Sequence, residues 1–337
     1  HGRSHTYTKT MIVNVAEEVR RALDSGQQVV AMETAVLTTG LPRCQWNDSY
    51  GDPPEGIDVT APINAAIAIA MTEIVRTNDA IPAWIGVLHG ELIVGLSLDD
   101  LLHLAGDEDA TKVSIANCAS TMMRGGSAGT TVAATLAACR LSSDSNPIRV
   151  FATGGIGGIH QNWSSRLDIS ADLTTLATTQ TCVVASGAKS ILDLHATVES
   201  LETIGVPVLG IGHNTFPRFV ERSSDDDPSI QQVDKIEDVV SLCNTHWNCL
   251  GFRSSVLATT QVPDEVAIDR DSYQQAIEEA EKEWIDSGQH PTTRTPYLLD
   301  QLAKATGGRS LVANLGLLCH NAAVASKIAG AMQEVNH

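Results

Sequence analysis

Lysine is sparse in this chain, yet one stands in the stretch VVASGAKSILDL, beside Gly187, Ala188 and Ser190 and with apolar residues on either side. TCVVAS reads as a buried strand and SILDLHATVESL as a helix over 190–203, so Lys189 is expected at a helix N-terminus. The positive end of a helix disfavours an ammonium there, and apolar walls disfavour it further. Both effects raise the share of neutral amine, the form that attacks a sugar aldehyde to give an imine. The plainer alternative is a lysine that runs its stem to the surface or pairs with Asp193.

Other residues of chemical interest fall where open parallel sheets bind ligands, at the carboxyl ends of strands. Glu33 follows QVVAM, Lys112 heads KVS, and Thr153-Gly154-Gly155 follows IRVFA. A strand-end carboxylate in a cleft can hold a raised pKa and serve as a general acid, although Glu33 could equally cap a helix or pair with a cation. The run TGGIGG at 153–158 has the spacing of neither a P-loop nor G-x-G-x-x-G. Its glycines could form a backbone nest for an anion such as phosphate, or only a tight turn. Asp168 and Asp172 lie in LDISADL; Asp168 is a hard oxygen donor suited to Mg²⁺ or Mn²⁺, or else a turn cap. Cys243, His246 and Cys249 in CNTHWNC could supply three zinc ligands, but no second close Cys/His pair follows.

The elements that must position these groups alternate. VAEEVRRALDSG (15–26) puts Val15, Val19, Ala22 and Leu23 on one helical face and stops at glycine. QVVAME is a short strand, 43–58 an Asp/Gly/Pro-rich loop, and 61–77 an Ala/Ile-rich helix. AWIGVL and ELIVGL form a strand pair through His89 and Gly90; LDDLLHLAG is a helix, KVSIA a strand and GTTVAATLAACRL a helix. Strands IRVFAT, TCVVAS and VPVLGI follow, then an acidic loop over 220–231 and helices over 231–243, 271–287, 296–305 and 311–333. The pattern predicts an α/β chain: a three-layer α/β/α fold with a mostly parallel sheet and a helical C-terminal region. A single catalytic domain over 11–337 is expected, with the opening HGRSH set aside as an expression-tag remnant.

Composition narrows the function. The chain has 337 residues, is 43% hydrophobic and carries a formal net charge of −18. Such a surface repels nucleic acid and anionic membranes, so neither is expected as a partner. Seven scattered cysteines suit a reducing cytoplasm better than a disulfide framework, and no apolar run reads as a membrane span.

Longer motifs carry a resemblance. FATGGIGGIH, DISADL, VVASGAKSILDL, LETIGVPVLG, AGTTVAATL and TPYLLDQLAKATGGRSLVANLGLL together resemble the pseudouridine-5′-phosphate glycosidase family, from about Glu17 to Ala331. The resemblance implies a trimeric, cytoplasmic α/β/α enzyme that depends on a divalent metal, typically Mn²⁺. It also implies chemistry at C1 of ribose 5-phosphate, where a carbon–carbon bond to a base is made or broken through a lysine imine. By motif the nucleophile is Lys189, the proton donor Glu33 and the metal carboxylate Asp168. Lys112, Val132, Thr153, His160, Ser170, Ala171, Asp172 and Asn314 match substrate-contact positions.

The departures from the family pattern cluster. Thr39 stands where a histidine is usual; Ile115, Ala116 and Asn117 replace two arginines and an aspartate; Gln161, Asn162 and Trp163 follow the glycine run in place of R-G; and the 43–58 loop, with Trp46 and Tyr50, is extended. Bulk enters and charge leaves. The expectation is C-ribosylation of a planar aromatic acceptor larger than uracil, as family relatives perform in antibiotic pathways such as that of alnumycin. The alternative is cleavage of pseudouridine 5′-phosphate to uracil and ribose 5-phosphate. A non-catalytic ribose-phosphate binder would not need Lys189, Glu33 and Asp168 together.

Overall fold

The computed structural model describes residues 13–161, 163–164, 167–287 and 294–335. The HGRSH start and Asn162 lie outside them. In the first half β1 (Val13–Val15), α1 (Glu17–Asp24), β2 (Val29–Glu33), α2 (Ile63–Thr77), β3 (Ile81–Leu88), β4 (Glu91–Val94) and α3 (Leu98–Gly106) follow one another. Next come β5 (Thr111–Val113), α4 (Cys118–Met123), β6 (Ala128–Thr130), α5 (Val132–Leu141), β7 (Val150–Ala152), α6 (Ala171–Leu176), β8 (Cys182–Ala185), α7 (Leu194–Thr203) and β9 (Val208–Ile211). The chain ends with β10 (Gln231–Val233), α8 (Ile236–Asn244), β11 (Val256–Thr259), α9 (Arg270–Ser287), α10 (Arg294–Ala305) and α11 (Arg309–Val335).

The strands form one 11-stranded sheet in the order β1-β4-β3-β2-β7-β8-β11-β9-β10, with β6 on β3 and β5 on β6. Pairing is parallel except where β3 meets β4 and β6. Every residue of β2, β7, β8 and β11 is buried, as expected of strands covered on both faces. The long helix α11 packs on β2, β7 and β8 with α2 and α8 beside it, while α5 packs on β2, β3 and β4 with α6 against it. The three-layer α/β/α architecture and the helical C-terminal region are as the sequence implied.

Two features of the topology build the site. The chain leaves β2 toward β3 on one side and leaves β7 toward β8 on the other, so β2 and β7 flank the switch point of the sheet. In addition β3 outruns β2. Its pairing with β2 ends at Glu33↔Ile85, and from Gly86 onward the vacated edge is taken by β6. That lays the start of α5 over the carboxyl end of β2, where the Thr130 N–H donates to Thr34 Oγ1 at 3.1 Å.

Several expectations need correction. Residues 190–193 are not helical: Gly187, Ala188 and Leu192 make isolated bridges to Arg218, Ile156 and His160 around a turn at 190–191, and α7 begins only at Leu194, capped by Asp193, whose carboxylate accepts the Ala196 N–H. Lys189 is therefore not at a helix N-terminus, and the helix-dipole argument for its neutral form lapses. Val15 belongs to β1, residues 231–233 to β10, and the strand at KVSIA ends at Val113. α11 is long and apolar enough to cross a membrane, contrary to the sequence reading, but most of it is buried in the fold as a core helix. The zinc idea has no support: Cys243 is buried against Cys182, His246 Nε2 contacts the Ser254 hydroxyl at 2.7 Å, and Cys249 is exposed.

Candidate active site

A cavity of about 290 Å³ opens at the switch point. Its floor is the carboxyl end of β2 and the glycine run after β7. Glu33 is 8% exposed, and its Oε1 accepts the Thr153 hydroxyl at 2.5 Å. Burial pushes the Glu33 carboxyl up, with the Asp172 charge adding to it; Lys189, the Thr153 hydrogen bond and Lys112 pull it down. A carboxyl shifted upward in this way is suited to proton transfer.

Two lysines share the space. Lys189 lines the cavity from the irregular segment after β8, its backbone N–H donating to Ile156 O at 3.3 Å. Gly187, two residues earlier, has φ +65, and a Cβ there would sit 1.9 Å from Pro217 O, so glycine alone permits this path. Lys112 enters from β5. Burial pushes its amine down, and the Lys189 charge pushes it further, against Asp172 and Glu33. Asn117, one of the departures from the family pattern, holds that lysine's backbone: its Nδ2 donates to Lys112 O at 3.1 Å and its Oδ1 accepts the Ser114 N–H at 2.8 Å.

Asp172 joins the walls. It is 5% exposed; Oδ1 accepts the Ala133 N–H of α5 at 2.9 Å and Oδ2 accepts the Gly157 N–H of the glycine run at 2.8 Å. Ser170 caps the short helix α6, its Oγ accepting the Asp172 N–H at 3.2 Å. Thr131 precedes α5 without capping it, and its buried Oγ1 has no partner among the described residues. The start of α5, uncapped by Thr131 but with its Ala133 N–H taken by Asp172, borders the cavity, and its remaining N–H groups suit an anion. Asn314 of α11 lines the other side, and its buried Oδ1 also has no partner among the described residues.

Asp168 lines the cavity beside His160, whose N–H donates to Asp168 O at 3.0 Å. No group of three His, Cys, Asp or Glu side chains able to hold a metal occurs among the described residues. Asp172 has both oxygens hydrogen-bonded to backbone N–H groups, and Asp168 supplies a further carboxylate to the same cavity. A hydrated Mn²⁺ or Mg²⁺ that takes its other ligands from water and substrate phosphate fits such a site; zinc does not.

The family model for indigoidine synthase A-like protein matches residues 56–331. The chain belongs to the indigoidine synthase A-like family. Over 94% of its length it is 39% identical to a pseudouridine-5′-phosphate glycosidase of Saccharopolyspora erythraea, covering 97% of that protein. It is 38% identical to the one from Hahella chejuensis, again over 94% of this chain and 97% of the relative. The crystal structure of the prealnumycin C-glycosynthase AlnA in complex with ribulose 5-phosphate matches with a TM-score of 0.81 at 31% identity, over 97% of this chain and 98% of that one. Membership in this glycosidase enzyme family is what the sequence motifs implied.

For an indigoidine synthase A-like chain, the structure gathers the expected residues closely. Glu33, Lys112, Val132, His160, Asp168, Ser170, Ala171, Asp172, Lys189 and Asn314 all line the one cavity, and Thr153 stands behind Glu33. The departures divide. Thr39 lines the cavity, but Trp46 and Trp163 are not among its lining residues. Trp46 donates its indole N–H to Gly51 O at 2.8 Å and packs edge-on to Tyr50, and both rings lie against the core rather than in the cavity lining. Trp163, Ile115 and Ala116 are exposed.

Sequence reasoning missed three residues. Thr131 gave no signal beyond its place before a helix, and Phe219 sits in an irregular stretch with no pattern. Asn321 was detectable as an amide inside the apolar run of α11. It is fully buried, and its Nδ2 donates to Thr153 O at 2.8 Å and to the Ser186 hydroxyl at 3.2 Å, while its Oδ1 accepts the Thr260 hydroxyl at 2.5 Å. It pins the ends of β7, β8 and β11 to α11, and with them the hydroxyl that touches Glu33.

Proposed function

We propose that this chain makes and breaks the carbon–carbon bond between C1 of ribose 5-phosphate and a planar base, through an imine on Lys189, and that it acts on pseudouridine 5′-phosphate. The observation that carries the reading is the convergence of Lys189, the buried Glu33 and Lys112 in one cavity at the sheet's switch point. In cleavage, Glu33 gives a proton to the ring oxygen as the Lys189 amine takes its place on C1 and the ring opens. The base carbon then gains a proton, the C1–carbon bond breaks, and its electrons go to that carbon as the imine forms. Water hydrolyses the imine, freeing ribose 5-phosphate and Lys189. Lys112 and the start of α5 hold the phosphate. Asp168 would hold a divalent cation, which when bound neutralises phosphate charge.

A second reading is C-ribosylation of a larger aromatic acceptor. The similarity to AlnA and the apolar lining at Ala35, Val36, Ile191, Leu192 and Leu318 favour it. The cavity volume and the absence of Trp46 and Trp163 from the described lining favour the smaller base.

The test is uracil release from pseudouridine 5′-phosphate with Mn²⁺ present, paired with borohydride reduction of the protein in ribose 5-phosphate. Uracil should be released, and Lys189→Ala should abolish release. Peptide mapping should place the reduced sugar adduct on Lys189. An adduct on Lys112, or none, overturns the assignment. An adduct without uracil release moves the function to the second reading.

A further inference from the structure

Phe219 occupies its place against the preference of its own backbone. Its φ is +59, in the left-handed region that a bulky side chain rarely enters. Such an outlier persists only where its surroundings over-determine it, and it commonly marks a residue placed for function.

The surroundings are visible. The Phe219 N–H donates to Ser186 O at 3.0 Å, Arg218 bridges to Gly187, and the Ser190 hydroxyl donates to Arg218 O at 2.9 Å. The Arg218 guanidinium is itself buried on Asp227, with Nη2 to Oδ1 at 2.6 Å. The segment that carries Phe219 is thus fastened to the chain on both sides of Lys189. The glycine run makes room for the ring: a Cβ on Gly155 would lie 2.9 Å from Phe219 Cδ2, and one on Gly154 3.3 Å from Cε2.

The side chain is 3% exposed yet lines the cavity, and no other Phe, Tyr or Trp is among the described lining residues. Its neighbours there define a chemical end. Leu318 lies against the same Gly154, and one turn back on α11 is Asn314 with its unpartnered buried Oδ1. The β8 side therefore offers an aromatic wall and one amide acceptor, while the β5 and β6 side offers Lys112 and the start of α5. With C1 at Lys189 between them, the phosphate belongs to the cationic side and the base to the aromatic one.

We infer that Phe219 is the specificity-determining residue for the base, its ring held in a strained backbone as the wall against which a pyrimidine such as uracil packs, with Asn314 accepting from its N–H edge. This rests on the imine reading above. Packing of a base on an aromatic ring is worth a factor of about five to a hundred in binding.

The experiment compares the full chain with Phe219→Leu and Phe219→Tyr. Leucine keeps a buried apolar group but removes the ring, and tyrosine keeps the ring. In Phe219→Leu the KM for pseudouridine 5′-phosphate and the inhibition constant of uracil should rise by about five- to a hundredfold. Borohydride trapping of ribose 5-phosphate, which involves no base, should stay at the level of the unsubstituted protein, and Phe219→Tyr should restore uracil affinity. Unchanged uracil affinity in Phe219→Leu overturns the inference, as does equal loss of sugar trapping, which marks a merely structural role. An unsubstituted protein that traps the sugar but neither releases nor binds uracil also overturns it while leaving the imine chemistry standing. One that traps no sugar sinks the underlying reading instead.

Discussion

Glu221 lies just behind the Lys189 segment and gives the fold a calculable pH dependence. It is 1% exposed, and burial lifts its carboxyl from its ordinary 4.5 to about 7, against the pull of Gln274, Ser190, Arg218 and Arg270. The Gln274 amide contacts both carboxylate oxygens, at 3.0 and 2.8 Å. Below pH 4.5 the group is protonated in folded and unfolded chains alike, and its stabilisation is fully present. Between 4.5 and 7 the unfolded chain loses the proton while the folded one keeps it, so stability falls as pH rises. At about 1.4 kcal/mol for each pH unit, the loss amounts to about 3 kcal/mol once the folded group has also ionised. Glu221→Gln removes the titration and keeps the shape. Urea unfolding of the two proteins from pH 4.5 to 8.5, followed by tryptophan fluorescence, should show the substituted protein gaining about 3 kcal/mol relative to the parent as pH rises. Parallel stability curves for the two proteins would refute the reasoning.

The site itself yields two further expectations. Asp172→Asn leaves one acceptor for two N–H groups, the buried one of Ala133 and the half-buried one of Gly157, and should cost about 1–3 kcal/mol in urea unfolding; an unchanged midpoint would show that these two hydrogen bonds do not hold the fold. Thr153→Val deletes the hydrogen bond that pulls the Glu33 carboxyl down, so the limb of the pH–rate profile for uracil release that reports Glu33 should move to higher pH with little change in KM. A limb that stays in place or moves down would show that Glu33 is not the titrating acid.

Much of this fold could be read from its residues because the inner strands are short apolar runs bounded by turns. QVVAM, IRVFA, TCVVAS and VPVLGI carry that signature, and the catalytic candidates follow directly after three of them. The failures have physical causes. β10 reads QQV and β1 is a three-residue strand, so edge position left neither a strong apolar pattern. β11, buried throughout, lies in a region whose other segments read as helix, and four residues are too few to reveal a period. The stretch after Lys189 has helical spacing, but a turn closed by the Leu192 N–H on Lys189 O and a bridge from Leu192 to His160 override it. The candidate site was legible through motifs that recur as blocks. Phe219 and Thr131 were not, because a wall and an uncapped helix exist only once distant segments meet.

The sheet order has a consequence for how this protein comes into being on the ribosome. β11 is the last strand to be synthesised, yet it lies between β8 and β9, which precede it in the chain. Until Thr259 has emerged, the edge of β8 is exposed and β9 and β10 have nothing to join them to the rest. Asn314 and Asn321 arrive later still, on the final helix. A nascent or truncated chain therefore presents an open, apolar strand edge, the kind of surface that pairs with other chains and that chaperones cover. Folding has to insert β11 between strands already made, and the candidate pocket is completed only after α11 has followed it.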